Sequence, residues 1–142
     1  MVVMAIDPGR EKCGLAVVFE DGSVPEKSVI ATAGLEGEIL RSVKKYAPDV
    51  IVLGNGTSCD FAEAKIRAAA PSLPVEIIDE YRTTDDAKIA YWKANPPTGW
   101  RRFFPTSMQV PPVPVDDFAA VILARRYLNV LRARSIKGSR AN

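Results

Sequence analysis

Five apolar residues, Val2 to Ile6, run without interruption into Asp7-Pro8-Gly9. A run of this kind reads as a buried strand, and Pro8-Gly9 forces the chain to reverse. Cys13 to Glu20 then reads as a second strand pairing back on the first. A carboxylate that closes a central strand is poorly placed for folding, since a buried charge is costly unless it is paired or binds a cation. Two readings of Asp7 stand here. It opens an Asx-type turn, or it is one of several acids gathered for chemistry. The second reading needs other carboxylates at comparable positions.

The rest of the chain supplies a frame for them. Pro25 to Ala31 continues an antiparallel meander after the turn Glu20-Asp21-Gly22-Ser23. A helix over Leu35 to Tyr46 presents Leu35, Ile39, Leu40 and Val43 as its apolar face. Val50 to Leu53 is a short, fully apolar strand ending in Gly54-Asn55-Gly56, and Thr57 or Ser58 caps a helix that Pro71 and Pro74 close. Val75 to Ile78 is a fifth strand, ending in Asp79-Glu80. Thr83 or Thr84 starts a helix to about Lys93, and the irregular stretch 95–114 holds six of the 11 prolines. A final helix runs from about Val115 to Arg132 or beyond. The pattern predicts an α/β fold, with a five-stranded mixed sheet of three antiparallel strands and two parallel ones, flanked by helices. One domain covers 1–134, and 135–142 is a basic tail expected to fray.

Composition narrows the chemistry. The chain contains no histidine, which removes histidine triads, histidine general bases and most zinc sites. Cys13 and Cys59 lack metal-type spacing, and no apolar run is long enough for a membrane span, so a reduced, cytoplasmic protein is expected. Residues 1–81 carry 8 Lys/Arg and 13 Asp/Glu, whereas 82–142 carry 11 and 4. That split reads either as an acidic, cation-binding region beside a surface for polyanions, or as a solvated basic tail.

Asp7 ends the first strand, Glu80 follows the fifth, and Asp116 starts the last helix, on the line shared with Ala120, Leu123 and Tyr127. Asp117 points about 100° away. As an isolated residue, Asp116 also fits an ordinary first-turn acid. The order of these motifs is informative. Ile6-Asp7-Pro8-Gly9, followed by Gly14 in the next strand, resembles the ribonuclease H-like superfamily. Asp79-Glu80-Tyr81-Arg82-Thr83-Thr84-Asp85-Asp86-Ala87 resembles the Asp-Glu-Arg-x-Thr/Ser-Thr-x-x-Ala stretch of the YqgF family. Val115-Asp116-Asp117-Phe118-Ala119-Ala120, with Ile122-Leu123 and Tyr127-Leu128, resembles that family's closing helix. YqgF proteins are relatives of RuvC Holliday-junction resolvases and are associated with maturation of ribosomal RNA precursors. Two departures stand out. Tyr81 takes the place of the usual arginine, with Arg82 one position later. Ala119 occupies the position where RuvC resolvases carry a further acid or histidine, which favours the YqgF branch.

The resemblance implies that Asp7, Glu80 and Asp116 are catalytic metal ligands, with Asp79 and Asp117 as rivals for the last two. Carboxylates without histidine suit Mg²⁺ or Mn²⁺. Two such ions can hold a phosphodiester for in-line hydrolysis, Asp7 bridging them and the other two acids each completing one side. For nucleic-acid binding the expected residues are Arg10, Lys12, Asn55, Arg82, Trp100, Arg101 and Arg102. The Trp100–Phe104 segment joins cations to stacking surfaces, and it reads equally as aromatic pins for a proline-rich loop. Arg10 and Lys12 serve either phosphates or surface ion pairs. The expected partner is precursor or structured RNA, or branched or single-stranded DNA, met by a monomer or homodimer. A binding module without turnover and a fragment of an actin-like ATPase or sugar kinase are the competing classes.

Overall fold

The computed structural model describes residues 1–56, 58–79, 93–95 and 116–140, and of residues 116, 117 and 135–140 the backbone alone. Strand β1 (Val2–Asp7) lies between two partners. It pairs antiparallel with β2 (Lys12–Phe19), which pairs antiparallel with β3 (Glu26–Ala31). On its other side β1 pairs parallel with β4 (Val50–Gly54), and β4 pairs parallel with β5 (Val75–Ile78). The sheet order is therefore β3-β2-β1-β4-β5, the mixed five-stranded sheet that the hydrophobic runs predict. Residues Val50 to Gly54 are all buried, as a strand covered on both faces requires.

Helices cover the two faces unequally. Helices α1 (Leu35–Tyr46) and α2 (Cys59–Ala69) pack together over one face, above Met4, Ile6, Leu15, Ile51 and Leu53. Helix α3 (Asp116–Arg140) covers the other, above Val3, Ala5, Ala16, Val18 and Val52. The register dictates this division, because alternate residues of a strand point to opposite faces. Among the described residues no helix is long and apolar enough to cross a membrane. Cys13 and Cys59 are both buried and form no disulfide.

Several local expectations need correction. Leu40, placed on the apolar face of α1, is 55% exposed. The buried stripe instead runs through Leu35, Ile39 and Ser42, and at 100° per residue Leu40 sits about 140° from Leu35. In α2, Cys59, Ala62 and Ile66 face the core, and Phe61 is exposed. Ser58 is the residue before α2, but its side chain makes no capping bond. Its backbone, at φ −94° and ψ 11°, lacks the extended conformation from which a serine hydroxyl reaches the first free amides. Thr57, the other candidate cap, lies outside the described residues. A short 3₁₀ turn, Thr32–Gly34, precedes α1 and has no counterpart in the sequence reading. The backbone of α3 is helical as far as Arg140, through residues expected to fray. The stretch 118–136 contains neither Gly nor Pro to stop it. Of the helix expected to start at Thr83 or Thr84, only Lys93 and Ala94 fall within the described residues, and both are helical.

Candidate active site

Because β1, β4 and β5 run parallel, their C-terminal ends meet at one edge of the sheet. Asp7, Asn55 and Asp79 close or follow those three strands. Asp7 is half-buried and shares the face of Val3 and Ala5, which is the face covered by α3. Its cross-strand partner is Gly14, which places no side chain directly opposite the carboxylate. From the registers, Asp7 and Asp79 lie two strand spacings apart and one residue out of step, a Cα separation of about 10 Å.

Helix α3 starts toward the same edge. The guanidinium of Arg132 donates to the carbonyl oxygen of Glu20 at 2.8 Å, which fixes that end of the helix beside the start of β1. The axial rise from residue 132 back to residue 116 is about 24 Å, slightly more than the roughly 20 Å length of β1. The first turn of α3 therefore lies near the end of the sheet on which β1 stops. A second bond secures this arrangement: Arg126 Nη1 donates to the carbonyl oxygen of Asp79 at 3.0 Å and ties α3 to the chain leaving β5.

The loop after Asp7 is built from within. A Cβ on Gly9 would lie 2.2 Å from the carbonyl oxygen of Lys12, so only glycine fits this turn. The Thr32 hydroxyl donates to the Gly9 carbonyl at 2.9 Å, and the Thr32 amide donates to the Glu11 carbonyl at 2.8 Å. With that hydroxyl proton committed, the buried Cys13 thiol is left to donate to Thr32 Oγ1 at 3.3 Å. These contacts hold the exposed Arg10 and Lys12 on a fixed frame beside Asp7. Thr32 and Cys13 escaped sequence reasoning, since nothing local marks a threonine 23 residues from the carbonyl it holds. The tight Pro8-Gly9 turn was the available signal.

Asn55 is exposed, and its backbone amide donates to the Ile78 carbonyl at 3.1 Å. That amide cannot also meet a phosphate, so any such contact from Asn55 falls to its side chain. Glu80, Arg82, Trp100, Arg101 and Arg102 lie outside the described residues, as do the side chains of Asp116 and Asp117. Among the described residues no three His, Cys, Asp or Glu side chains gather as a metal site would need. Of the acids expected at such a site, Asp7 and Asp79 are the two whose side chains are described, and carboxylate oxygens are hard donors of the type that Mg²⁺ and Mn²⁺ prefer.

No protein-family model matches the chain, and no curated protein sequence does. Solved structures do. The chain is similar to RuvC of Thermus thermophilus at 17% identity and a TM-score of 0.58, over 87% of this chain and 90% of that one. It is similar to T. thermophilus RuvC in complex with a Holliday-junction substrate at 16% identity and a TM-score of 0.62, over 95% of this chain and 96% of that one. Similarity over nearly the full length of both molecules, together with the sheet order and the closing helix, gives the architecture: the chain has the ribonuclease H-like fold of RuvC.

Proposed function

We propose that the protein is a metal-dependent nuclease that hydrolyses phosphodiester bonds in nucleic acid, of the YqgF branch, acting in the processing of ribosomal RNA precursors. The observation that carries this reading is a half-buried aspartate closing the central strand of a RuvC-type sheet, on the face whose covering helix starts near the same edge. Asp7, Glu80 and Asp116 would hold the Mg²⁺ or Mn²⁺, with Asp79 and Asp117 as substitutes if the register shifts by one residue. Such ions, when bound, polarise the phosphodiester and allow water to attack at neutral pH.

The chain's own residues do the positioning. Asp7 is held in a ladder whose strands pair on both sides, so its carboxylate has a fixed origin. Arg10 and Lys12 bring positive charge to the substrate phosphates from a loop braced by Thr32. Arg82, Arg101 and Arg102 would extend that track, and Trp100 would stack on an unpaired base.

A second reading is a Holliday-junction resolvase, favoured by the likeness to RuvC in its junction complex. Ala119, in the place of that group's further acid or histidine, speaks against it. The experiment is to incubate the purified full chain with Mn²⁺ or Mg²⁺ and precursor ribosomal RNA, single strands or a four-way DNA junction. Cleavage of the RNA that disappears in Asp7→Ala and Asp116→Ala supports the proposal. Preferential cutting of the junction moves the assignment to the resolvase reading. An Asp7→Ala protein that still cleaves removes both.

A further inference from the structure

In the turn that follows Asp7, two main-chain carbonyls are taken up from within. The hydroxyl of the buried Thr32 holds that of Gly9 at 2.9 Å, and the Thr32 amide holds that of Glu11 at 2.8 Å. The peptide bond from Gly9 to Arg10 is trans, so its oxygen and its hydrogen point in opposite directions. With the Gly9 carbonyl drawn inward to Thr32, the N–H of Arg10 is turned away from the fold. Arg10 is exposed, and its amide makes no hydrogen bond among the described residues.

Charge in the turn is divided. Glu11 and Lys12 both line a cavity beside Val29, Ile30 and Ala31, acid next to base. Arg10 is the remaining charge of the turn, and it carries a guanidinium and an outward amide on one residue.

We propose that Arg10 binds one phosphate of the substrate strand with its main-chain amide and its guanidinium together, and that Thr32 is the positioning residue that aims the amide. The inference rests on the reading that the substrate is nucleic acid, and is independent of metal binding and cleavage. A main-chain N–H can only donate, so its partner is an acceptor, and a guanidinium on the same residue selects an anion. The phosphate oxygens of nucleic acid accept from both kinds of donor. Arg10 follows Asp7 by three residues, at most about 11 Å along an extended chain. At a rise of about 3.4 Å per nucleotide, the phosphate it holds lies within a few nucleotides of the one over Asp7.

The test is binding of a fluorescently labelled 12-nucleotide single-stranded RNA and its DNA counterpart to the full chain, measured by anisotropy in EDTA across a range of salt. Arg10 is exposed, so Arg10→Gln leaves the fold in place. It should weaken binding by about three- to ten-fold and reduce the salt slope by about 0.7, the share of one phosphate on a single strand. Thr32→Val, which removes the hydroxyl, should weaken binding by about three-fold in the folded protein, whereas Thr32→Ser, which keeps it, should bind like wild type. The double variant should bind no more than about two-fold more weakly than Arg10→Gln alone, because both changes act on one contact. In amide-resolved NMR spectra the Arg10 N–H should move downfield when the strand is added, and should move less in Thr32→Val. Wild-type affinity and slope in Arg10→Gln would overturn the proposal, as would an Arg10 amide that saturating strand leaves unmoved. Additive losses in the double variant, or wild-type binding by folded Thr32→Val, would reduce Thr32 to a structural residue and overturn its positioning role. The two readings fail separately. Absent cleavage with this binding pattern intact removes the nuclease and keeps the phosphate contact. Metal-dependent cleavage with binding indifferent to Arg10 and Thr32 removes the contact and keeps the nuclease.

Discussion

Alternate residues of β1 enter two differently built layers. Met4 and Ile6 join Leu15, Leu35, Ile39, Ile51, Leu53 and Ile66 in a layer of large, branched side chains beneath α1 and α2. Val3 and Ala5 join Ala16, Val18, Val50 and Val52 of the sheet against Ala120, Leu123, Ala124 and Leu128 of α3, a thin layer in that its strands supply only valine and alanine. Where alanine meets alanine little side chain lies between the backbones, and close packing then requires sheet and helix to approach. Both layers are packed cores, and Asp7 lies on the sheet face of the thin one. One sheet thus presents its carboxylate on the side where its own side chains are smallest.

Substitutions can break that contrast in order of severity. The largest expected effect is chemical: Asp7→Ala should lower metal-dependent cleavage by about 10⁴-fold, or about 5 kcal/mol in activation free energy, with the far-ultraviolet dichroism unchanged. Next is truncation of the bulky layer. Ile51 is fully buried, and Ile51→Ala should cost about 2–5 kcal/mol in denaturant unfolding while the folded fraction cleaves normally. Enlargement of the thin layer is the converse test. Ala16→Leu should cost about 1–3 kcal/mol, and should also lower cleavage in the folded protein, because it lifts α3 from the sheet. Equal effects of Ile51→Ala and Ala16→Leu on cleavage per folded molecule would show that the two layers do not divide the labour.

The smallest effect is on pH dependence. Tyr127 packs against the thin layer, and burial, helped by the negative charge of Glu76 and opposed by Arg134, raises its phenol above the ordinary value of 10.0. The neutral phenol is the favoured form in the folded protein. Its contribution is complete below the unfolded pKa and is lost as pH rises through the folded one. Tyr127→Phe should flatten the fall in unfolding temperature between about pH 9 and 11, measured by differential scanning calorimetry.

Much of this was legible in the sequence because it rests on local periodicity. The five strands follow from uninterrupted or alternating apolar runs, and α1 has the bounds its pattern predicts, Leu35 to Tyr46. Leu40 was misplaced because a leucine one position after Ile39 counts as apolar in composition but lies off the buried arc. Asp7 stood out for the opposite reason, as a charge where the strand pattern calls for none. The brace from Thr32 to Gly9 was invisible, since it joins residues far apart in the chain through a side chain ordinary for a loop.

The fasteners on the two sides of the sheet differ in kind. Arg41 of α1 binds carboxylates, those of Glu26 on β3 and of Glu38 on its own helix, whereas Arg126 and Arg132 of α3 bind the main-chain carbonyls of Asp79 and Glu20. A carboxylate is lost when its glutamate is replaced, whereas a main-chain carbonyl persists whatever side chain stands at its position. Substitution at Glu20 or Asp79 therefore leaves in place the oxygens that Arg132 and Arg126 grip, and a variant that empties the strand ends of acid keeps these two clasps of α3.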